Sequence, residues 1–465
     1  MIKTLIDNVE VNITPELIAR YDQPIPRYTS YPTAPAWSEA EGDELYKSAL
    51  LRVAHKSARQ AISVYVHLPF CEKHCTFCGC HVIATKKREV IDPYLANLKC
   101  ELELLSATLG KKIAARQLHW GGGTPTYLDE AQLRQLMQML REHFEFTADA
   151  EVSVEADPRW TDSAKLKVLR EIGFNRVSFG VQDVDEAVQV AAGRVQSFAL
   201  TQACLQAARA LKFESVNIDL IYGLPLQTPQ SWNKTLEAVL TLNPDRIALF
   251  SFAYVPWLKP HMRSMDPLTL PLANVKLQLF AQAIQQLSAA GYQFIGLDHF
   301  AKHDDEMARA HREKTLNRNF KGYSTQAGLD LIGLGVSSIG FVDGVYAQNE
   351  KKLTVYERNL REGRLCTERI CVLRPDDHLR SWVISRIFCR QLVDKTEFAQ
   401  VWSTSFDEYF AAAKATLQQL EQDGLIAQSK NALQVTSLGR FFIRNVAASF
   451  DAYLAAGQGK FSRAV

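Results

Sequence analysis

"AISVYVHLPFCEKHCTFCGC", residues 61–80, starts as a strand and ends in a run of thiols. Its first half is short, β-branched and aromatic, which predicts extended chain. Four of the nine cysteines in the whole chain follow within the next ten residues. Cys71, Cys75 and Cys78 have the spacing C-x3-C-x2-C, and Cys80 lies two residues further on. Three thiolates on one short loop can hold three corners of a cubane [4Fe–4S] cluster, whose usual complement is four cysteines. The missing ligand leaves one iron open to another molecule. Structural zinc is the main alternative, but it favours paired C-x2-C or C-x2-H elements, and no second pair is spaced to match. Packing thiols scatter, as Cys100, Cys204, Cys366, Cys371 and Cys389 do. The odd total argues against a complete disulfide framework.

Outward from this stretch, strand-like runs alternate with helical ones. Leu95, Leu98, Leu102, Leu105 and Leu109 line one face of a helix. "RQLHWGGGTP", "AEVSVEADP", "NRVSFGVQ", "SVNIDLIYGLP" and "DRIALFSFAYVP" read as further strands. A helix that Thr161 or Asp162 caps ends at Gly173. About six strand–helix units between residues 60 and 290 predict an α/β fold with a parallel sheet, an incomplete (β/α)6 barrel. Polar residues gather just after the strands, the end where parallel α/β folds place their sites. Residues 1–55 read as an irregular arm plus a helix, 56–355 as the barrel, and 356–465 as a helical C-terminal domain. In that last part "FDEYFAAAKATLQQLEQDGLI" and "LGRFFIRNVAASFDAYL" read as helices around a hairpin at Lys430-Asn431, a winged-helix-like arrangement.

Lys plus Arg (53) nearly cancels Asp plus Glu (51), which excludes the basic excess of a nucleic-acid or membrane-surface binder. Neither a signal peptide nor an uncharged run long enough to cross a bilayer is visible, so a soluble, cytoplasmic chain is expected.

The thiol spacing, with Phe77 before the third cysteine, resembles the radical S-adenosylmethionine (SAM) superfamily. The resemblance implies that the open iron holds the amino and carboxylate groups of SAM, whose reductive cleavage gives a hydrogen-abstracting 5′-deoxyadenosyl radical. "PRYTSYPTA", "YVHLPFC", "CGC", "LHWGGGTPT", "VSVEADP", "NIDLIYGLP" and "RNFKGYSTQ" in that order are similar to the oxygen-independent coproporphyrinogen III dehydrogenases of haem biosynthesis, over nearly the whole chain. The family's activity is oxidative decarboxylation of two propionates of coproporphyrinogen III to vinyl groups, giving protoporphyrinogen IX.

The same resemblance implies cluster ligands at Cys71, Cys75 and Cys78, with Cys80 in the motif but not on iron. It implies two SAM molecules. Tyr65, Phe77, Gly122, Glu155 and Ile339 match contacts to the first, and Gly123, Thr124, Gln182, Arg194, Asp219 and Ala253 match contacts to the second. It also implies a monomer that takes electrons from a donor such as flavodoxin or ferredoxin. By themselves, Gly121–Gly123 would be a tight turn whose amides can approach a ligand. Glu155 would be a solvated rim group, Arg194 a surface charge, and Ala253 and Ile339 core.

The tetra-carboxylate substrate calls for cations. Arg27 is a candidate, with Tyr28 and Tyr31 packing on the macrocycle; anchoring the arm is Arg27's other reading. One departure stands out, since the family typically has glutamine where this chain has Lys321, beside the second SAM. Pairing of Lys321 with a propionate is the expectation. Alternatives are a haem-trafficking relative, another radical SAM enzyme acting on haem, and a zinc-stabilised scaffold without catalysis. Cys80 and the "PRYTSYPT" arm count against the first, and Lys321 keeps the second open.

Overall fold

The strand that opens the quoted stretch becomes an inner member of a twelve-stranded sheet. In the computed structural model, which describes residues 1–7, 9–39, 42–56, 61–455, 457 and 460–464, six strands run parallel in chain order. They are β1 (Ile62–Leu68), β2 (Ile113–Gly122), β3 (Phe144–Ala156), β4 (Arg176–Gln182), β5 (Ser215–Tyr222) and β6 (Arg246–Ser251). Helices α1 (Ile91–Leu109), α2 (Glu130–His143), α3 (Ser163–Glu171), α4 (Phe198–Ala210), α5 (Pro229–Leu242) and α6 (Ala273–Ala289) follow them in turn. Leu95, Leu98, Leu102, Leu105 and Leu109 of α1 are all buried, and Gly110 ends that helix with φ +69°. Asp162, not Thr161, caps α3, its carboxylate accepting from Lys165 N.

The sheet does not stop at six parallel strands. Beyond β6 lie β8 (His299–Lys302), antiparallel to β6, and at the edge β7 (Tyr292–Gly296), antiparallel to β8. On the other flank β9 (Leu331–Leu334) runs parallel to β1, with Gly333 opposite Tyr65. Antiparallel β10 (Ile339–Val342), β11 (Val345–Asn349) and β12 (Thr367–Val372) complete it. The sequence reading anticipated none of these, and they carry the sheet past residue 355 to Val372.

Alternation along the parallel strands gives the sheet two unlike sides. Val64, Val66, Leu118, Trp120, Val154 and Phe179 are buried on one of them, in the core. The intervening Tyr65, His119, Ser153, Glu155, Ser178 and Asp219 form a polar row on the other. Parallel strands are usually apolar on both sides, so a polar row marks a cavity or site.

Outside the sheet three expectations change. The N-terminal arm begins with a hairpin, Ile2–Ile6 against Val9–Ile13, that hooks onto α6 through a hydrogen bond from Thr4 Oγ1 to Ala281 O (3.2 Å). The helix expected from Phe406 is split into Phe406–Tyr409 and Lys414–Gln422, because buried Phe406 and Phe410 turn onto Phe398 and Phe450. The last one breaks before Asp451, whose carboxylate accepts from Tyr453 N and Leu454 N and so starts a new turn. The expected hairpin is present, Ile426–Gln428 against Ala432–Val435, with Leu392–Asp394 as a third strand. Among the described residues no helix is long and apolar enough to cross a membrane.

Glu101 of α1 is 3% exposed and ties the late strands to the early ones. It accepts from Gly335 N (2.7 Å), Tyr356 Oη (2.6 Å) and Asn349 Nδ2 (2.5 Å). Glu101→Leu strands three buried donors, so a loss of about 3 kcal/mol is expected, read as a lower denaturation midpoint. An unchanged midpoint would show that this junction is not under load.

Candidate active site

Pro69 breaks β1, and the thiol loop springs from that break. Its base is closed by a short parallel pair, Phe70–Cys71 with Ile83–Ala84, and by Thr85 N donating to Cys71 O (2.8 Å). Cys75 is buried, Cys71 and Cys78 are half-buried, and Cys80 is exposed. Thr124 Oγ1 lies 3.1 Å from Cys71 Sγ, and Arg194 Nη1 donates to Cys75 Sγ at 3.8 Å. The Cys80 thiol bonds to Cys78, which holds Cys78 well below the ordinary thiol range and raises Cys80. Among the described residues no three His, Cys, Asp or Glu side chains converge on a single ion position. A cubane does not ask for that, since each cysteine takes a separate corner. All nine cysteines are free thiols. Three on one loop, backed by a guanidinium and a hydroxyl, fit the donor set of such a cluster.

The glycine run closes against this loop. Gly122 has φ +117°, and a Cβ there would lie 2.6 Å from the His67 ring; one on Gly123 would lie 2.6 Å from Pro69 O. The expected open amides are not open. Gly122 N donates to Glu155 Oε2 (3.1 Å), Gly123 N to Leu68 O (2.8 Å) and Thr124 N to Phe70 O (2.9 Å). The run therefore stitches β2 to the base of the thiol loop, and the Thr124 hydroxyl faces Cys71.

Glu155 is tied in place at the rim rather than free there, although its side chain stays 42% exposed. Burial alone would raise its carboxyl, but His119 (3.3 Å) and Gly122 N overcome this and hold it below the usual range, so it stays anionic. Tyr65 stacks on His119 with ring centroids 5.9 Å apart, and its hydroxyl lies 3.0 Å from His67 Nδ1. His67 Nε2 lies 2.9 Å from His81 O. Burial lowers His67 to about 4, so it is neutral: Nε2–H donates to the carbonyl and Nδ1 accepts from Tyr65. His67 and His119 were missed from sequence, although "YVHLPF" and "LHW" place both on the polar alternation.

Gln182, Arg194 and Asp219 meet around Gly180. A Cβ on Gly180 would strike Gln182 Nε2 (2.8 Å) and Arg194 Nη2 (3.1 Å), and Asp219 is its partner across the strands. Gln182 itself has φ +70°, a left-handed backbone unusual for a side chain of its size. Arg194 is no surface charge: it is 9% exposed and bridges Gly180 O (2.6 Å) and Asp157 (3.0 Å). Asp219 accepts from Asn217 Nδ2 (2.7 Å) and Ser178 Oγ (3.0 Å), yet burial and the nearby Glu155 charge raise it to about 7.

The remaining positions are more dispersed. Ile339 backs Tyr65 through Gly333, where a Cβ would lie 2.7 Å from its carbonyl. Phe77 packs on an apolar group containing Val188, Ile221 and Phe252. Ala253 follows β6 and lines a separate cavity of about 40 Å³ with Arg27, Tyr222 and Asp298.

Two expectations about substrate contacts are corrected. Tyr28 and Tyr31 are 4% and 2% exposed and face the C-terminal part, Tyr28 donating to Asp451 (3.0 Å) and Tyr31 accepting from Ala452 N (3.1 Å). They cannot pack on a ligand ring as the chain stands. Arg27 anchors the arm by pairing with Asp298. Lys321 does not wait for a carboxylate either. Its ammonium donates to Ser63 Oγ (2.8 Å) and Gln117 Oε1 (3.0 Å), level with Glu151 and away from Glu155. Burial lowers it to about 8, with Glu151 opposing.

The model of the Radical SAM superfamily matches residues 65–239, and that of the HemN C-terminal domain matches 373–442. Oxygen-independent coproporphyrinogen III oxidases of Salmonella typhimurium and Escherichia coli are each 44% identical over 451 residues, 97% of this chain and 98% of theirs. That of Synechocystis is 41% identical over 98% of both chains. A solved structure described as coproporphyrinogen III oxidase (HemN) from Escherichia coli, a radical SAM enzyme, superposes with a TM-score of 0.88 at 43% identity, covering 93% of this chain and all of that one. A thiol loop, a polar row and relatives matched end to end point one way: this chain belongs to the oxygen-independent coproporphyrinogen III oxidase family of the radical SAM superfamily.

Proposed function

We propose that the chain converts two propionate side chains of coproporphyrinogen III to vinyl groups, giving protoporphyrinogen IX without oxygen. What carries the reading is the convergence of the three-thiol loop and the polar row at one end of the parallel sheet, in a chain similar to these oxidases throughout. When bound, the cluster and SAM would supply removal of a hydrogen atom from the propionate β-carbon, the alkene then forming as carbon dioxide leaves and one electron passes to an acceptor from outside the chain.

The chain's own residues hold and shield. Cys71, Cys75 and Cys78 are the cluster ligands in this reading. Two SAM molecules are accommodated. Tyr65, Phe77, Gly122, Glu155 and Ile339 hold one, the Glu155 anion answering its ammonium. Gly123, Thr124, Gln182, Arg194, Asp219 and Ala253 hold the other. Neutral His67 fixes the Tyr65 hydroxyl without adding charge. The same reading takes the six strand–helix units as a partial barrel and the C-terminal part as winged-helix-like. It divides the chain into an arm (1–55), a barrel (56–355) and a C-terminal domain (356–465), although the sheet itself runs on to Val372. A cytoplasmic monomer supplied by flavodoxin or ferredoxin completes it.

The test is an anaerobic assay of the reconstituted full chain with dithionite, SAM and coproporphyrinogen III. Protoporphyrinogen IX and 5′-deoxyadenosine are expected together; neither product from a cluster-replete sample would overturn the reading.

A further inference from the structure

The connection from β6 to α6 folds back over the thiol loop and grips it at one corner. His261 Nε2 lies 2.9 Å from Cys78 O, and because a carbonyl only accepts, that nitrogen carries the proton. The His261 ring stacks on His74 of the loop, with centroids 3.9 Å apart and planes 24° from parallel. His74 in turn reaches the Cys78 thiol, which also bonds to Cys80. One histidine pair therefore holds Cys78 at both ends, the carbonyl through His261 and the sulfur through His74.

The other two thiols have donors of their own. Thr124 Oγ1 lies 3.1 Å from Cys71 Sγ, and Arg194 Nη1 lies 3.8 Å from Cys75 Sγ. His74 has capacity left over, since its Nε2 is buried with no hydrogen-bond partner among the described residues. Packing accounts for the stack. It does not account for a buried nitrogen left bare, where an unmade hydrogen bond is costly. A group bound at the thiols would complete it. Cys78 ligates iron only as a thiolate, and thiolate and inorganic sulfide accept hydrogen bonds and donate none.

We propose that His74, held in place by His261, donates an N–H to sulfur at the Cys78 corner and so sets the reduction potential of the cluster bound there. The inference rests on the functional reading above, in which Cys71, Cys75 and Cys78 hold that cluster. An N–H aimed at sulfur stabilises the negative charge that an added electron brings, so it makes reduction easier. His261 is a positioning residue that acts through the plane of His74. In the redox step the cluster gains one electron from a one-electron reductant outside the chain, which is oxidised by one. Neither ring gains or loses a proton.

The experiment reduces the reconstituted full chain stepwise with dithionite, without SAM or porphyrinogen, and follows the electron paramagnetic resonance signal of the reduced cluster. Wild type is compared with His74→Phe, which keeps the stack and loses the donor, with His74→Gln, which restores an N–H, and with His261→Phe. All four are expected to carry about four iron atoms per chain. In His74→Phe the cluster becomes about tenfold harder to reduce, a midpoint about 59 mV lower for one electron. His74→Gln returns towards the wild-type midpoint, and His261→Phe falls in the same direction by less. An unchanged midpoint in His74→Phe would overturn the proposal. So would a His74→Gln midpoint as low as that of His74→Phe, which would give the effect to shape and not to the donor. Should His74→Phe take up no iron, His261→Phe decides: a lowered midpoint supports the proposal and an unchanged one sinks it. A wild-type chain that takes up no iron fails the functional reading itself, whereas full clusters with equal midpoints fail the proposal alone.

Discussion

Cys71→Ala, Cys75→Ala and Cys78→Ala are each expected to leave the chain colourless after anaerobic reconstitution, against about four iron atoms per chain for the unaltered protein. Turnover should fall below detection with them, because the cluster needs all three thiolates. Cys80 is the informative contrast. It lies two residues past the third ligand and its thiol bonds to Cys78, so it is the obvious spare. It is also exposed, and its carbonyl is held by Lys259. Cys80→Ala should therefore keep its iron and lose a few-fold in rate at most, since Cys78 loses one donor of about 1 kcal/mol. Iron counted by absorption and by ferrozine separates the two outcomes. A Cys78→Ala chain that still takes up a full cluster would move the third ligand to Cys80.

The second large effect concerns Asp219 and pH. Its carboxyl sits at about 7 in the folded chain, chiefly through burial and then through Glu155. The unfolded value is about 3.9. Between those values the native chain binds a proton that the unfolded chain has lost, so stability contributed by this group falls as pH rises from about 4 to 7. Asp219→Asn should flatten the stability profile in that window and raise the denaturation midpoint at pH 8. Ligand binding should move the other way. A sulfonium or ammonium beside Asp219 favours its ionised form, so SAM affinity in the wild type should climb from pH 6 to pH 8 with release of a proton. Asp219→Asn should lose about 10–150-fold of that affinity at pH 8, the worth of one charge-assisted hydrogen bond, and should lose the pH dependence too. Titration in buffers of different ionisation heat reads both quantities. A flat affinity profile in the wild type would remove Asp219 from the cofactor site.

What the sequence discloses is local. The thiol spacing, the strand before it, the leucine face of α1 and the stop at Gly173 depend on neighbours within a few turns, and all stand in the structure. The polar row was half visible. Tyr65, Glu155 and Asp219 came from a family likeness, whereas His67 and His119 passed unnoticed because a strand with one polar side reads like a strand facing solvent. Long-range pairing was hidden altogether. Nothing near Leu331 says that it will lie beside Ser63, and nothing in "PRYTSYPT" says that its tyrosines will turn towards residues 451 and 452. Lys321 shows the same limit. A likeness placed it beside a cofactor, while the fold gives its ammonium to Ser63 and Gln117.

The pairing of β9 with β1 sets a timetable for biogenesis. A nascent polypeptide emerges from its N-terminus, so the segment bearing the thiols leaves the ribosome long before residues 331–334 exist to flank it. Until then that segment has a bare edge, and its seat for iron is unfinished. Metal delivery to this protein thus belongs after residues 331–334 have emerged, and a chain truncated before Leu331 should be prone to aggregate rather than to mature.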